Sequence, residues 1–292
     1  MFSPYRFPIL AMALLLILPG LSACQKTNAP SSQDLPQVSM VLTHEIATDL
    51  DITDITFIPN TLAHWLGKIA LLDKQGRLFV TDIEGGKVVP VGTHTYRDMV
   101  GLLRPKAPGL LFALNTNGQI EAFREDDEDG RFHPLKVVSD SLELKQFCHP
   151  ATLATDQISG LSAQGKLMNI RVRQNGSDIK LEAQPSPGAR KGKCAQSSKI
   201  SYRHPENTHL FIAENSENPK AKLQVMIKDG LLNKGMEEIR AIGVTSSNFG
   251  RTYSDGVIAV IDNANKRIGF IALDYANQQI KKAGPDTTNK DQ

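Results

Sequence analysis

An all-β fold is predicted for this 292-residue chain by three features of its sequence. Five polar turns rich in Asn, Asp and Gly each lead into a short strand, whose first apolar residues are Leu78, Ile120, Leu167, Leu223 and Ile268. Successive members of this set lie 42, 47, 56 and 45 residues apart. Two further apolar runs precede each turn, and a fourth often follows the strand. Four short strands per repeat are typical of a propeller blade, so the sequence predicts a β-propeller of five or six four-stranded blades. An irregular β-sandwich is the alternative.

The stretch DKQGRLFVTDIEGG, residues 73–86, is the clearest copy of the repeat. Its acids and glycines have loop-like spacing, but the glycine comes too early for an EF-hand calcium loop. The same turn recurs in other repeats without the acid. We therefore interpret Asp73 to Gly76 as a hairpin tip, Leu78 to Thr81 as a strand, and Ile83 to Gly86 as the next turn.

The segment 38–44 precedes the first complete repeat and is predicted to supply an outer strand that closes the ring. Residues 125–150 and the insertion 184–198 are the two places where a poorly marked sixth blade would lie. The choice between five and six blades therefore stays open.

The N-terminus has the features of an export signal. Arg6 is the only charged side chain before position 26, and an apolar run of about ten residues and the sequence LSAC, residues 21–24, follow it. LSAC resembles the lipobox of bacterial lipoproteins. The resemblance implies cleavage before Cys24 and acylation of that residue, with palmitate among the acyl chains. Gln25 in the next position favours the outer membrane by the sorting rule of enteric bacteria. Which face of that membrane carries the protein, periplasmic or surface, stays open.

These features divide the chain into four parts. Residues 1–23 are predicted to be the signal peptide and residues 24–38 a flexible, lipid-anchored tether. Residues 39–283 are assigned to the propeller and residues 284–292 to a disordered tail.

The charge balance gives no indication of a nucleic-acid partner or a strongly charged membrane surface. The chain has 33 basic and 31 acidic residues, a net charge of +2, which falls to +1 once Arg6 is removed with the signal. We expect no nucleic-acid partner from this balance. In an exported protein the two remaining cysteines, Cys148 and Cys194, favour a disulfide. A metal site using His149 beside Cys148 is the weaker alternative, because neither cysteine has CxxC spacing.

Several segments resemble β-propeller phytases, calcium-dependent phosphatases. The similarity is loose, follows the same order along the chain, and involves residues 51–60, 68–86, 95–101, 209–215, 238–244 and 256–261. In that family, acids at the mouth of the channel hold calcium ions. The resemblance places Asp51, Asp54 and Glu214 at such metal-ligand positions.

The sequence also departs from the phytase pattern. Arg97 lies near the expected ligands, and Arg240 replaces a Glu of the family motif. A guanidinium repels a nearby calcium ion but binds phosphate or carboxylate through paired donors. We therefore expect Arg97 and Arg240 to form an anion-binding site, and the alternative is a solvated loop or a salt bridge.

The function predicted from these observations is a lipid-anchored, phytase-like binding module of the cell envelope without catalytic activity. Its partners would be the membrane, reached through the N-terminal lipid, and an envelope protein or a small anionic ligand. The alternative is a calcium-dependent phosphomonoesterase that hydrolyses phytate or related phosphate esters. The sequence contains no G-x-S-x-G, P-loop or H-E-x-x-H motif, so whether the chain is an enzyme, and whether it uses calcium, stays open.

Overall fold

The N-terminal strands of the described chain complete blades that are built mainly from its C-terminal half. The computed structural model describes residues 35–126, 129–139, 142–150, 153–185, 200–203, 210–215 and 222–283. Strand β1 (Gln37–Met40) pairs in parallel with the third strand of blade 4, and strand β2 (His44–Ala47) pairs antiparallel with the third strand of blade 5. The predicted closing role of the segment 38–44 is therefore confirmed, but the segment is divided between two outer strands, β1 and β2.

Blades 1 to 3 follow one another along the chain. Blade 1 consists of β3 (Ile52–Ile58), β4 (Lys68–Asp73), β5 (Leu78–Asp82) and β6 (Val89–Val91). Blade 2 consists of β7 (Tyr96–Leu102), β8 (Leu110–Asn115), β9 (Ile120–Glu125) and β10 (Phe132–Ser139). Blade 3 consists of β11 (Leu144–Phe147), β12 (Gln157–Ser162), β13 (Leu167–Asn175) and β14 (Asp178–Pro185). The outer strands β10 and β14 pair in parallel and join blades 2 and 3 into one eight-stranded sheet.

Blades 4 and 5 each take three strands from the C-terminal half. Blade 4 consists of β15 (Ile200–Arg203), β16 (Leu210–Asn215), β17 (Lys222–Ile227) and β1. Blade 5 consists of β18 (Ile239–Thr245), β19 (Val257–Asp262), β20 (Arg267–Ala272) and β2, and helix α1 (Leu273–Ala283) follows it. Short 3-10 turns lie at His64–Leu66 and Arg251–Tyr253.

The fold is thus an all-β propeller with five four-stranded blades among the described residues, as the sequence predicted. The described residues of the range 125–150 hold no sixth blade, because they include the outer strand of blade 2 and the inner strand of blade 3. Most of the insertion 184–198 lies outside the described residues. No helix in the described part of the chain is long and apolar enough to cross a membrane.

The blades pack through apolar layers between neighbouring sheets. Phe57 of blade 1 meets Phe249 of blade 5 edge to face, with ring centroids 5.5 Å apart. Gly101 of β7 lies against the backbone of β3, where an added Cβ would come 1.8 Å from the Phe57 carbonyl oxygen. Such backbone proximity is available only to glycine, so inner strands of adjacent blades approach closely here.

The hairpin tips between the second and third strands are held by their first residue. Asp73 is 2% exposed, and its carboxylate accepts hydrogen bonds from the backbone N–H groups of Gln75 (2.9 Å) and Arg77 (2.8 Å) and from Arg77 Nε (2.7 Å). Asn115, Ser162 and Asp262 hold the corresponding turns in the same manner. The interpretation of residues 73–76 as a hairpin tip is confirmed.

Candidate functional site

A repeated irregularity marks one end of the ring, the end at which the inner strands begin. In four inner strands the pairing register with the next strand skips one residue, which is Thr53, Arg97, Lys145 or Arg240. A bulge of this kind bends the strand and redirects the side chains beside it. We call this end the entry mouth.

Three ligand-type side chains converge at the entry mouth. Asp54 follows the bulge of β3, Asp98 follows the bulge of β7, and His149 lies two residues beyond β11. One oxygen of each carboxylate and one ring nitrogen of His149 all lie within 4.8 Å of one another. Blades 1, 2 and 3 therefore each contribute one residue to this group, the mouth cluster.

Asp98 is the residue that fixes the cluster in place. It is 7% exposed, and its carboxylate accepts hydrogen bonds from the backbone N–H of Phe147 (2.5 Å) and of Met99 (2.8 Å). His149 Nε2 lies 3.0 Å from Asp98 Oδ1. Because Phe147 and His149 belong to blade 3, the Asp98 carboxylate also joins blades 2 and 3.

The environment changes the proton affinity of two cluster members. Burial raises the pKa of the Asp54 carboxyl to about 6, although the nearby His149 acts in the opposite direction. Burial acts to lower the pKa of His149, but the negative charge of Asp54 and the hydrogen-bonded Asp98 carboxylate outweigh it and raise that pKa to about 9. At neutral pH the imidazolium of His149 therefore balances part of the carboxylate charge.

The donor set of the mouth cluster favours some metal ions over others. Two carboxylates and an imidazole form a mixed oxygen and nitrogen set, which suits zinc, manganese, iron or cobalt. Calcium prefers six to eight oxygen ligands. His149 would bind such an ion as the neutral ring, so the metal and a proton compete for this residue.

Of the three predicted metal ligands, Asp54 lies in the mouth cluster and the other two have different neighbours. Asp51 accepts a hydrogen bond from Asn263 Nδ2 at 2.8 Å, at the contact between blades 1 and 5. Glu214 is on β16 of blade 4, with its Oε2 atom 3.6 Å from Lys222 Nζ. Neither Asp51 nor Glu214 is part of the three-residue group among the described residues.

The two predicted anion-binding arginines also have different neighbours. Arg97 Nη2 donates to the Leu144 carbonyl oxygen at 2.6 Å and so spans blades 2 and 3. Arg240 lines a pocket of about 370 Å³ between blades 5 and 1. The pocket is lined by Asp51, Thr53, Lys74, Glu238, Arg240, Asn263, Ala264 and Lys266.

Sequence reasoning missed Asp98, and it considered His149 only as a metal ligand beside Cys148, the weaker alternative to a disulfide. A signal for Asp98 exists, because Asp54 and Asp98 occupy the same place in two consecutive repeats, each two positions after the first residue of an inner strand. His149 has no comparable signal, since it lies beyond the inner strand of its own blade.

Two sequence predictions concern cysteines. Cys148 is buried, 2% exposed, directly before His149. Its predicted partner Cys194 and the predicted lipidation site Cys24 lie outside the described residues, so the disulfide and the lipid anchor stay predictions.

Comparison with known proteins gives similarity at the level of solved structures only. No protein-family model and no curated protein matches the chain. Raptor from Chaetomium thermophilum is similar with 9% identity over 82% of this chain and a TM-score of 0.43, and this chain spans 29% of the Raptor chain. The Cps50 (Swd1) β-propeller domain from Myceliophteria thermophila is similar with 11% identity over 70% of this chain and 65% of that domain, at a TM-score of 0.28. The computationally designed Ika4 protein is similar with 11% identity over 66% of this chain and 98% of its own, at a TM-score of 0.32. Similarity this distant carries no information on ligand or activity, and the phytase resemblance stays a prediction.

Proposed function

We propose that this chain is a lipid-anchored binding module of the bacterial cell envelope that engages an anionic ligand through a divalent metal ion at the entry mouth. The observation that supports the proposal is the convergence of Asp54, Asp98 and His149 from three consecutive blades within 4.8 Å. Three protein ligands leave coordination positions of the ion open to an external group. The ion would be of the zinc or manganese type rather than calcium, because one of the three donors is an imidazole.

Binding without turnover is the better-supported form of this function. By the phytase resemblance, hydrolysis needs several calcium ions held by carboxylates, and the mouth cluster provides one site with two carboxylates. Arg97, a further candidate for ligand binding, is hydrogen-bonded to the backbone of blade 3. The entry mouth thus supports holding an anion more directly than it supports cleaving one.

A metal-dependent phosphomonoesterase is the second candidate, and one observation favours it. Thr53 lines the pocket between blades 5 and 1, which we call the cationic pocket because Lys74, Arg240 and Lys266 also line it. Its neighbour Asp54 belongs to the mouth cluster. A phosphate ester held in the pocket would therefore lie next to Thr53 near the start of β3, and the metal would lie next to the following residue, Asp54. A bound divalent ion lowers the pKa of a bound water toward neutrality, which would supply the nucleophile.

Thermal melts of the purified full chain in detergent test the metal site. At a free metal concentration of a hundred times Kd, the ion should stabilise the protein by about 2.7 kcal/mol, which is roughly 5–10 °C for a domain of this size. We expect this shift with zinc or manganese, and a small one with calcium. Asp54→Asn and His149→Gln should abolish it.

The matched control is His133→Gln, which removes another Asp–His pair. His133 Nε2 lies 3.1 Å from Asp129 Oδ2, and both side chains are about half exposed. This variant should keep the full metal shift. Equal shifts in His149→Gln and in the wild type would overturn the proposal.

Hydrolysis assays separate the two candidates. The binding module predicts no release of phosphate from phytate or an aryl phosphate with zinc, manganese or calcium present. The phosphomonoesterase predicts turnover that a chelator abolishes, that metal restores, and that Asp54→Asn removes.

A further inference from the structure

We infer that the pocket between blades 5 and 1 is a second binding site, separate from the mouth cluster, for a small phosphate monoester that also carries an ammonium group. This inference does not depend on the metal site, because the pocket shares no residue with the mouth cluster. Its volume, about 370 Å³, is within the range of small-molecule sites.

Three cationic side chains meet in this pocket from three different elements. Lys74 belongs to the turn between β4 and β5, Arg240 is the bulge residue of β18, and Lys266 belongs to the turn between β19 and β20. None of the three forms an ion pair with a residue that the structure describes, although neighbouring carboxylates are present. Three cations around one cavity, without an ion pair to any described residue, would attract a dianion, and the guanidinium fork of Arg240 matches phosphate geometry.

The turn that carries Lys266 has an unusual backbone. Three other blades place a glycine with positive φ at the corresponding position, namely Gly76 (76°), Gly118 (84°) and Gly165 (72°). Blade 5 instead places Lys266 there, at φ 51°. A residue with a Cβ is disfavoured relative to glycine in this left-handed region. The strain is explained if the Lys266 side chain has a function in the pocket that it lines.

Two carboxylates also line the pocket, and they indicate which further group the ligand carries. Asp51 is held by the Asn263 amide at 2.8 Å, and Glu238 is an exposed side chain immediately before β18. With three cations and two carboxylates the pocket carries a net charge of +1. A bare anion would meet repulsion from Glu238, whereas a ligand with an ammonium group would pair with it.

Isothermal titration of the full chain tests the pocket, with chelator present so that metal at the mouth cluster plays no part. The probes are inorganic phosphate and O-phosphoethanolamine, which adds an ammonium group to the same phosphate. We expect O-phosphoethanolamine to bind more tightly, and both affinities to fall as salt is raised. Absence of binding for both probes at millimolar concentration would overturn the inference.

Lys266→Gly is the decisive variant, because it removes the cation and relieves the backbone strain together. It should weaken binding of both probes about tenfold while leaving the melting temperature unchanged or higher. Its control is Lys106→Gly: Lys106 also has positive φ, at 53°, and lies in the loop between β7 and β8 at the opposite end of the ring. Lys106→Gly should change the melting temperature similarly and leave binding unaffected.

Two further substitutions locate the two ends of the ligand. Arg240→Gln should weaken both probes about tenfold, since it removes a charge-assisted contact. Glu238→Gln should weaken O-phosphoethanolamine and leave inorganic phosphate unchanged or slightly tighter. Wild-type affinity in both Lys266→Gly and Arg240→Gln would refute the phosphate site, and an unchanged response in Glu238→Gln would refute the ammonium contact.

Discussion

Arg267 at the start of β20 ties the N-terminal part of the chain to blade 5, and its replacement by alanine should be strongly destabilising. The side chain is 7% exposed, and its Nε and Nη2 atoms lie 3.2 and 3.1 Å from Asp262 Oδ2. Nη1 donates to Glu45 of β2 at 2.8 Å and to the Lys234 carbonyl oxygen at 3.2 Å, and Nη2 donates to the Gly235 carbonyl oxygen. One guanidinium therefore joins an outer strand, a hairpin tip and the segment before β18.

The magnitude follows from what alanine would leave behind. Asp262 is 0% exposed, so its carboxylate would lose its cation without access to water. Removing one partner of a buried ion pair typically costs about 3–5 kcal/mol. Asp262 keeps hydrogen bonds from Glu237 N (3.3 Å), Asn265 N (3.2 Å) and Asn265 Nδ2 (2.9 Å), which favours the lower end. We expect a loss of about 3 kcal/mol, or roughly 6–12 °C in melting temperature for a domain of this size.

Urea unfolding and thermal melts of Arg267→Ala measure this loss, and blade 1 offers a matched control. Arg77 holds the corresponding place after the hairpin tip and pairs with Asp73 at 2.6 Å, but its side chain is 62% exposed. Asp73 is nearly as buried as Asp262, but water already reaches the Arg77 guanidinium and can replace it beside the carboxylate, so Arg77→Ala should cost about 1 kcal/mol or less. Equal losses in the two variants would refute the reasoning that burial of the Arg267 guanidinium, which keeps water from replacing it, sets the cost.

The remaining predictions concern the mouth cluster and the contact between blades 1 and 2. The folded pKa of His149, about 9, lies above its ordinary value of 6.5, so its stabilising effect is complete below about pH 6.5 and is lost as the pH rises through about 9. Because the His149 side chain is 41% exposed, solvent screens part of this effect, and the free energy of unfolding in urea should be about 1–2 kcal/mol higher at pH 7 than at pH 10 from this source. The difference should be absent in His149→Gln and present in His133→Gln. The pKa of Asp54 is also raised, so stability should decline as the pH rises from about 4 to 6, and Asp54→Asn should reduce that decline. Gly101→Ala should cost about 3 kcal/mol in urea unfolding because its Cβ would collide with the Phe57 carbonyl oxygen, whereas Gly130→Ala, with nothing within 4 Å, should cost about 1 kcal/mol from its positive φ alone.

The blade repeat was predictable from the sequence because its causes are local. A polar turn between two apolar runs specifies a hairpin whatever lies around it, so the strand after Asp73 begins at Leu78 as predicted and ends one residue later than predicted, at Asp82. The pairing of β1 and β2 with blades 4 and 5 is a long-range event, because the paired residues lie 187 to 226 positions apart in the sequence. The local pattern indicated a closing strand but not its division between two blades.

The candidate site was predictable only in part, for a similar reason. Asp54 was predicted as a metal ligand from the phytase resemblance. The resemblance did not indicate the other two members of the mouth cluster, which come from blades 2 and 3. Asp98 reaches His149, 51 positions away, because the Phe147 backbone N–H binds the same carboxylate. A register shift beside Asp98 and a backbone contact between blades cannot be read from residue types, so the cluster emerges only from the folded chain.

The two proposed sites at the entry mouth depend on different contacts between blades, so one ring of repeats would have room for two separate ligands. Asp98 and Arg97 both bind backbone groups of blade 3, so the mouth cluster depends on the packing of blade 2 against blade 3. The cationic pocket depends on the packing of blade 5 against blade 1, where Asn263 bridges to Asp51 and to the Ile52 backbone. The bulge residue serves a different purpose in each case, since Arg97 is bound to the protein backbone while Arg240 faces the pocket. A substitution that loosens one contact should therefore impair one site and spare the other, so metal binding and phosphate binding should be separable by mutation.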